Sequence, residues 1–222
     1  MTTDRSTPES DTIRVVLADD HAMLRDALAR ILGDSEQIEV VAQASDGLEV
    51  LAVVESSEPD VLVLDYSMPH HDPPSMIKDL VAKRRQLKVL VLTVHENIHY
   101  ALRVLESGAQ GYLIKSAAAD ELVEAIREVH AGRIYLSSSI SQAVLQRMRE
   151  PRRKRTGLDA LSPREFTFLQ MLGAGHTLQR CADEMDISVS TASTYRTRVL
   201  EKLELESTAE LIRFALDHDL VG

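Results

Sequence analysis

A chain of 222 residues with 44% hydrophobic and 27% charged residues has the composition of an ordinary globular protein of one or two domains. Its longest apolar runs are strand-sized, far below the ~18 residues of a bilayer span, and one cysteine, Cys181, excludes an internal disulfide and a cysteine-based zinc site. The formal net charge of −10 disfavours nucleic acid as a partner, but residues 1–150 carry −9 of it and residues 151–222 only −1.

The first residues, MTTDRSTPESD, are polar and carry acids, unlike a signal or transit peptide; residues 1–12 read as a disordered lead-in. With the lone cysteine, this points to a cytoplasmic protein with no membrane partner. From Ile13 to Ala131, short Val/Leu/Ile-rich runs at 13–18, 39–44, 61–65, 88–93 and 111–115 alternate with amphipathic segments. Near-continuous apolar runs are what strands buried on both faces require. Leu24, Ala27, Leu28, Ile31 and Leu32 form a helix stripe closed by Gly33; Leu122, Ala125, Ile126 and Val129 form another. Strands alternating with helices predict a doubly wound α/β domain with a parallel sheet over residues 13–131.

Residues 132–158 read as a connecting helix and a basic linker containing Arg152, Arg153, Lys154 and Arg155. Residues 159–222 contain no strand pattern and predict an all-α four-helix domain. Ser162-Pro163 with Glu165 is an N-cap, a proline at the first helical position and an early acid. Phe166, Leu169 and Leu172 continue that helix to Gly173 or Gly175, and further helices are predicted over 177–186, 190–204 and 207–218.

Strand one ends in Asp19-Asp20 and strand three in Asp65. In a doubly wound sheet of order 2-1-3-4-5 these two strands flank the point where strand order reverses, which is where ligands bind. Three close carboxylates raise one another's pKa unless a cation sits among them, and a hard ion such as Mg²⁺ resolves the conflict. Thr93 closes strand four with a hydroxyl and Lys115 closes strand five with a positive charge. An Asp nucleophile, a metal, a hydroxyl and a lysine are the set needed to accept a phosphoryl group. A metal-dependent phosphohydrolase could use the same acids, but haloacid-type hydrolases want a second acid where Ser67 stands.

VVLADDH, VLVLDYSMP, VLTVHE and GAQGYLIK, in that order, resemble the flavodoxin-like receiver domain of response regulators over residues 13–131. The resemblance implies that a histidine kinase phosphorylates Asp65. Asp20, Asp65 and the Ser67 carbonyl would hold Mg²⁺, with Asp19 acting through water, and Thr93 and Lys115 would bind the phosphoryl oxygens. Tyr112 would change rotamer as Thr93 moves. Pro73, followed by Pro74, stands where relatives carry glycine, which predicts a reshaped loop into the third helix. His70, His71 and Asp72 in that loop are candidate metal ligands, but adjacent residues rarely chelate one ion.

The segment from Leu161 to Leu216 resembles the LuxR-type helix-turn-helix of the NarL/FixJ class. Independently of that resemblance, Ala192, Tyr195, Val199, Leu200 and Leu203 form one semi-apolar stripe. Ser190, Ser193, Thr194, Thr197, Arg198 and Glu201 form the polar face, suited to a major groove. By resemblance, Ser193, Thr194 and Thr197 face bases of double-stranded DNA, while Thr191, Arg196, Arg198 and Lys202 contact phosphates. Cys181 reads as a small core hydrophobe.

The expected function is a DNA-binding transcription regulator, not an enzyme, controlled by phosphorylation and working with RNA polymerase. The alternative is DNA binding independent of phosphate, the receiver serving as a dimerisation or partner surface. Leu211, Ile212, Ala215, Leu216, Leu220 and Val221 give the last helix a surplus of apolar surface. The resemblance implies that this helix pairs two protomers on a two-fold DNA site. It also leads us to expect the acidic receiver to lie over the recognition helix until phosphorylated.

Overall fold

The computed structural model describes residues 12–116, 119–149 and 157–221. Residues 1–11 of the expected lead-in and the basic run Arg152–Arg155 lie outside the described residues. The first unit winds β1 (Ile13–Ala18), α1 (Ala22–Gly33), β2 (Ile38–Ala44), α2 (Gly47–Ser57) and β3 (Val61–Asp65). It continues through α3 (Pro73–Lys83), β4 (Lys88–Thr93), α4 (Ile98–Glu106), β5 (Gly111–Ile114) and α5 (Ala119–His130). All strand pairs are parallel, in the order β2-β1-β3-β4-β5-β6.

The apolar runs form strands because each must bury both faces. Val15 and Leu17, Val61 and Val63, Leu90 and Leu92 pack with Leu32, Ala125, Ile126 and Val129 of α1 and α5. Their alternates, Val16, Leu62, Leu64, Val89 and Val91, pack with Val50, Val54, Ile77 and Leu80 of α2 and α3. That second core continues without a break through Tyr66 and Tyr100 into Phe166 and Leu169 of the C-terminal domain.

The sixth strand, β6 (Tyr135–Leu136), pairs with β5 in the stretch read from sequence as a connector. Two residues are too few to show a periodicity. Helix α6 (Ser138–Arg149) then packs on α4, with Ile140 and Val144 buried.

After a 3₁₀ turn (Gly157–Ala160), the C-terminal domain comprises α7 (Pro163–Gly173), α8 (Leu178–Glu184), α9 (Val189–Leu203) and α10 (Thr208–Asp217). Each start is capped: Ser162, Thr177, Ser188 and Ser207 accept a backbone N–H three residues ahead. At α7 the box is complete, Glu165 Oε2 taking the Ser162 amide at 2.7 Å. Cys181 is fully buried, and desolvation pushes its thiol up to about 11, the behaviour of a core hydrophobe.

Helices α7 and α10 cross at Gly173, where an added Cβ would meet Ala215 Cβ at 2.6 Å and Val221 Cγ2 at 2.7 Å. Neither atom can rotate away cheaply. Gly173→Ala should therefore lower stability by about 1–3 kcal/mol despite the helix-propensity gain of alanine. Thermal unfolding of the full chain checks this; an unchanged or raised Tm would show that the crossing has slack.

Candidate functional site: an acidic pocket and an exposed helix

The parallel sheet delivers Asp19, Asp65, Thr93 and Lys115 to one edge because each follows or ends the C-terminal end of a strand. Asp19, Asp65 and Thr93 are buried, at 2%, 1% and 0% exposure. Lys115 Nζ stands 2.8 Å from both Asp19 Oδ2 and Asp65 Oδ2. One ammonium is thus shared between two buried carboxylates. The other oxygens are held by backbone: His21 N–H gives to Asp19 Oδ1 at 2.8 Å and Ser67 N–H to Asp65 Oδ1 at 3.1 Å. Asp20, more exposed, lies 2.9 Å from His21 Nδ1.

The electrostatics follow from that burial. Desolvation raises the Asp65 pKa above the ordinary carboxylate value, and Lys115 and the Ser67 amide only partly offset it. Burial alone would lower Lys115, but its two carboxylate partners outweigh it and hold the lysine pKa up. Donor atoms of Asp19, Asp20, His21 and Asp65 lie within 4.8 Å of one another. Hard oxygens of three clustered carboxylates, two of them buried and sharing a single lysine, fit a divalent cation such as Mg²⁺.

Tyr112 lies fully buried on β5 and gives its hydroxyl hydrogen to His95 O at 2.9 Å. Thr93 Oγ1 accepts the His95 N–H at 3.1 Å, so both expected switch residues hold the same turn after β4. Burial moves the Tyr112 phenol well up, leaving it a neutral donor. Pro73 and Pro74 open α3 beside this pocket. Asp72 caps α3 through Ser75 N at 3.0 Å, the prolines fill its first turn, and His70 takes the positive φ of 58°.

On α9, Thr191, Thr194, Thr197 and Arg198 are exposed, while Ser193 and Arg196 are half-buried on the same helix. Thr194 and Thr197 hydroxyls donate back to Ser190 O and Ser193 O, at 3.1 and 3.2 Å. Lys202 also serves the fold: its Nζ lies 2.6 Å from buried Glu165 Oε2, completing the charge of the α7 capping box. Burial raises the Glu165 pKa, yet Lys202 and the Ser162 bonds outweigh this and leave it lowered.

The expected docking of the receiver over the recognition helix is corrected. Receiver helix α4 meets α7, the 3₁₀ turn and the chain's last residues instead. Arg103 donates to Leu158 O at 2.6 Å and Leu161 O at 3.0 Å and lies 4.0 Å over the Phe166 ring. Tyr100 donates to Leu220 O at 2.8 Å, accepts from Gln170 at 2.7 Å and packs edge-on against Phe166. Asn97 donates to His218 O at 2.7 Å, and Thr167 donates to Asp72 Oδ1. Net charge suggested a different surface because most of these contacts are aromatic rings and carbonyl oxygens. The last helix's apolar surplus goes largely into packing on α7: Leu211 and Ala215 are buried, and Leu216 remains 56% exposed.

Sequence reasoning missed Tyr66, His95, Tyr100 and Arg103: the first two lie inside the receiver motifs, but only the fold brings the four together. Tyr66, directly after Asp65, packs edge-on to Tyr100 at 4.8 Å, and His95 stacks on Tyr100 at 4.6 Å.

Residues 15–127 match the family described as "Response regulator receiver domain", and residues 159–215 that described as "Bacterial regulatory proteins, luxR family". The response regulator GacA of Pseudomonas aeruginosa is 35% identical over 209 residues, 94% of this chain and 98% of GacA. UvrY of Escherichia coli K12 is 33% identical over 208 residues, 94% of this chain and 95% of UvrY. The solved response regulator ChrA of a heme-sensing two-component system is 33% identical at a TM-score of 0.52, covering 95% of this chain and 99% of that one. Salmonella typhimurium RcsB, at 23% identity and a TM-score of 0.71 over 93% of this chain and 98% of its own, shares the fold. With both halves matched in order and nearly the whole chain aligned, the protein belongs to the two-component response regulators of the NarL/FixJ class, which join a receiver to a LuxR-type DNA-binding domain.

Proposed function

We propose that a histidine kinase phosphorylates Asp65 and that the modification controls how the C-terminal domain engages double-stranded DNA. The observation that carries this is the Asp65 carboxylate. It ends β3 almost wholly buried, with Oδ2 2.8 Å from Lys115 Nζ and Oδ1 accepting the Ser67 N–H at 3.1 Å. In the transfer an Asp65 oxygen attacks phosphorus, the P–N bond of the phosphohistidine breaks, and the imidazole nitrogen leaves with the electron pair. Lys115 offsets charge on the phosphoryl oxygens, and the Thr93 hydroxyl donates a hydrogen bond to one of them. Asp19, Asp20, Asp65 and the Ser67 carbonyl would hold Mg²⁺, which supplies neutralisation of the crowded carboxylates when bound.

The division of labour we propose assigns residues 13–131 to the receiver, 132–158 to the connector and 159–222 to DNA binding. Ser193, Thr194 and Thr197 read bases, and Thr191, Arg196 and Arg198 contact phosphates. The protein works in the cytoplasm, with RNA polymerase, as a homodimer on DNA, and is not an enzyme. When Thr93 moves toward a phosphoryl oxygen it draws on the turn holding His95, whose ring stacks on Tyr100 at 4.6 Å. Tyr100 lies at the contact with Phe166 and Leu220, so phosphorylation loosens the receiver from the C-terminal domain. Because the exposed face of α9 is clear of that contact, release acts on the pairing of two protomers rather than on access to the recognition helix.

Acetyl phosphate with Mg²⁺ should add one phosphate to the intact mass, and Asp65→Asn should add none. Full labelling of that variant would place the acceptor elsewhere. In a DNA-selection assay Thr197→Ala should change sequence preference, whereas Arg198→Ala should weaken all sequences alike and flatten the salt dependence by about one unit of slope. Equal, uniform effects would dissolve the distinction. Arg103→Ala, without phosphate, should favour two protomers on a palindromic duplex by about tenfold, within the usual 1–3 kcal/mol of allosteric coupling. Sedimentation measures this; no change would favour the reading in which DNA binding is independent of phosphate.

A further inference from the structure

Asp72, in the loop that leaves the phosphoacceptor, reaches across to the C-terminal domain. Its carboxylate divides its two oxygens. Oδ2 accepts the Ser75 N–H at 3.0 Å and caps α3, while Oδ1 accepts the Thr167 hydroxyl on α7. A carboxylate can only accept, so the single hydroxyl hydrogen of Thr167 points to Asp72. The other acceptor within reach, Pro163 O at 3.2 Å, is uncharged, and hydrogen bonds to a charged group are the stronger kind. Both side chains are half-buried.

The residues around Asp72 fix that reach. A proline restricts the residue before it to extended backbone, and Asp72 stands before Pro73 at φ −112° and ψ 106°. Pro73 and Pro74 are buried in the first turn of α3, and their rings lock φ there. This is the stretch in which the chain departs from the receiver pattern. The loop between Asp65 and Asp72 is itself braced. Ser67 N–H donates to Asp65 Oδ1 at 3.1 Å, Gly47 N–H donates to Pro69 O at 3.3 Å, and His70 Nδ1 engages Asp46 Oδ2 at 2.6 Å. A Cβ on Gly47 would lie 2.5 Å from His71 Cβ, so the loop packs closely on the start of α2. A segment held this tightly passes a displacement along instead of absorbing it.

We propose that Asp72 and Thr167 form an autoinhibitory latch, in which the loop of the phosphoacceptor itself grips α7 and keeps the receiver docked on the DNA-binding domain. A different element makes the Tyr100 and Arg103 contacts, so the receiver is fastened both at the start of α3 and along α4. Release of the latch on phosphorylation rests on the reading of Asp65 given above, because the phosphoryl group and its metal would act on Ser67 at the near end of the same loop. The grip itself does not rest on that reading.

The test is hydrogen exchange, followed by mass spectrometry, on the full-length unphosphorylated protein. It is read at residues 157–161 and 218–221, the segments whose carbonyls receive α4. Thr167→Val removes the hydroxyl and keeps the shape, and should speed exchange there by about tenfold or more, the effect of one hydrogen bond to a charged group. Asp72→Ser, which can still cap α3, should do the same, and the two together should add little. Thr167→Ser, which keeps the hydroxyl, should exchange at the native rate. Circular dichroism confirms that each variant is folded. Native exchange in Thr167→Val, equal acceleration in Thr167→Ser, or full additivity in the double variant would each overturn the latch. Acetyl phosphate with Mg²⁺ should accelerate the native chain at least to the Thr167→Val rate. If phosphate does nothing while Thr167→Val speeds exchange, the latch stands and only its control by Asp65 falls.

Discussion

The compensation of buried carboxylates by one lysine at the edge of a parallel sheet is the interaction on which the rest of this molecule depends. Asp19 and Asp65 are almost wholly buried, and a like-charged pair so placed is costly unless a cation is shared between them. Lys115 Nζ, 2.8 Å from each, is that cation in the present arrangement. It reaches them because β5 ends one residue earlier and its backbone is tied by Lys115 N–H to Thr93 O at 2.6 Å. The pocket is thus poised for an additional charge change, since one positive charge is shared between two buried carboxylates.

The strands that deliver the carboxylates also set the route outward. Residues on alternating sides of β3 belong to two cores, and the core on the α2–α4 side runs on into α7 and α9. A single residue after Asp65, the chain turns Tyr66 into that same core, against Tyr100. A change at the phosphoacceptor edge is therefore mechanically adjacent to the domain contact. Close-packed aromatic rings have few intermediate positions, which favours two discrete arrangements over a graded one.

Domain contact and DNA face are separated in space. Arg103 spends its donors on the carbonyls of Leu158 and Leu161, at the 3₁₀ turn before α7. Lys202 turns inward to the buried carboxylate of the α7 cap. Some of the basic groups are thus engaged within the fold, while Arg198 on α9 stays exposed. A charge tally over the sequence could not separate cations that hold the fold from cations that face solvent.

Much was legible in the sequence for a physical reason. Strands buried on both faces must be apolar throughout, and helix starts need side-chain caps. So the five long strands, the four C-terminal helices and the Ser162-Pro163-Glu165 start could all be read from local pattern. The grouping of Asp19, Asp20, Asp65, Thr93 and Lys115 followed too, because sheet topology sends the ends of successive parallel strands to one edge. What tertiary structure alone decided are contacts between residues with no periodic relation. The two-residue strand β6, the pairing of Lys202 with Glu165 and the docking of α4 on α7 are of this kind. Local pattern encodes which face a residue must bury, whereas the partner it meets there depends on where the rest of the chain has packed.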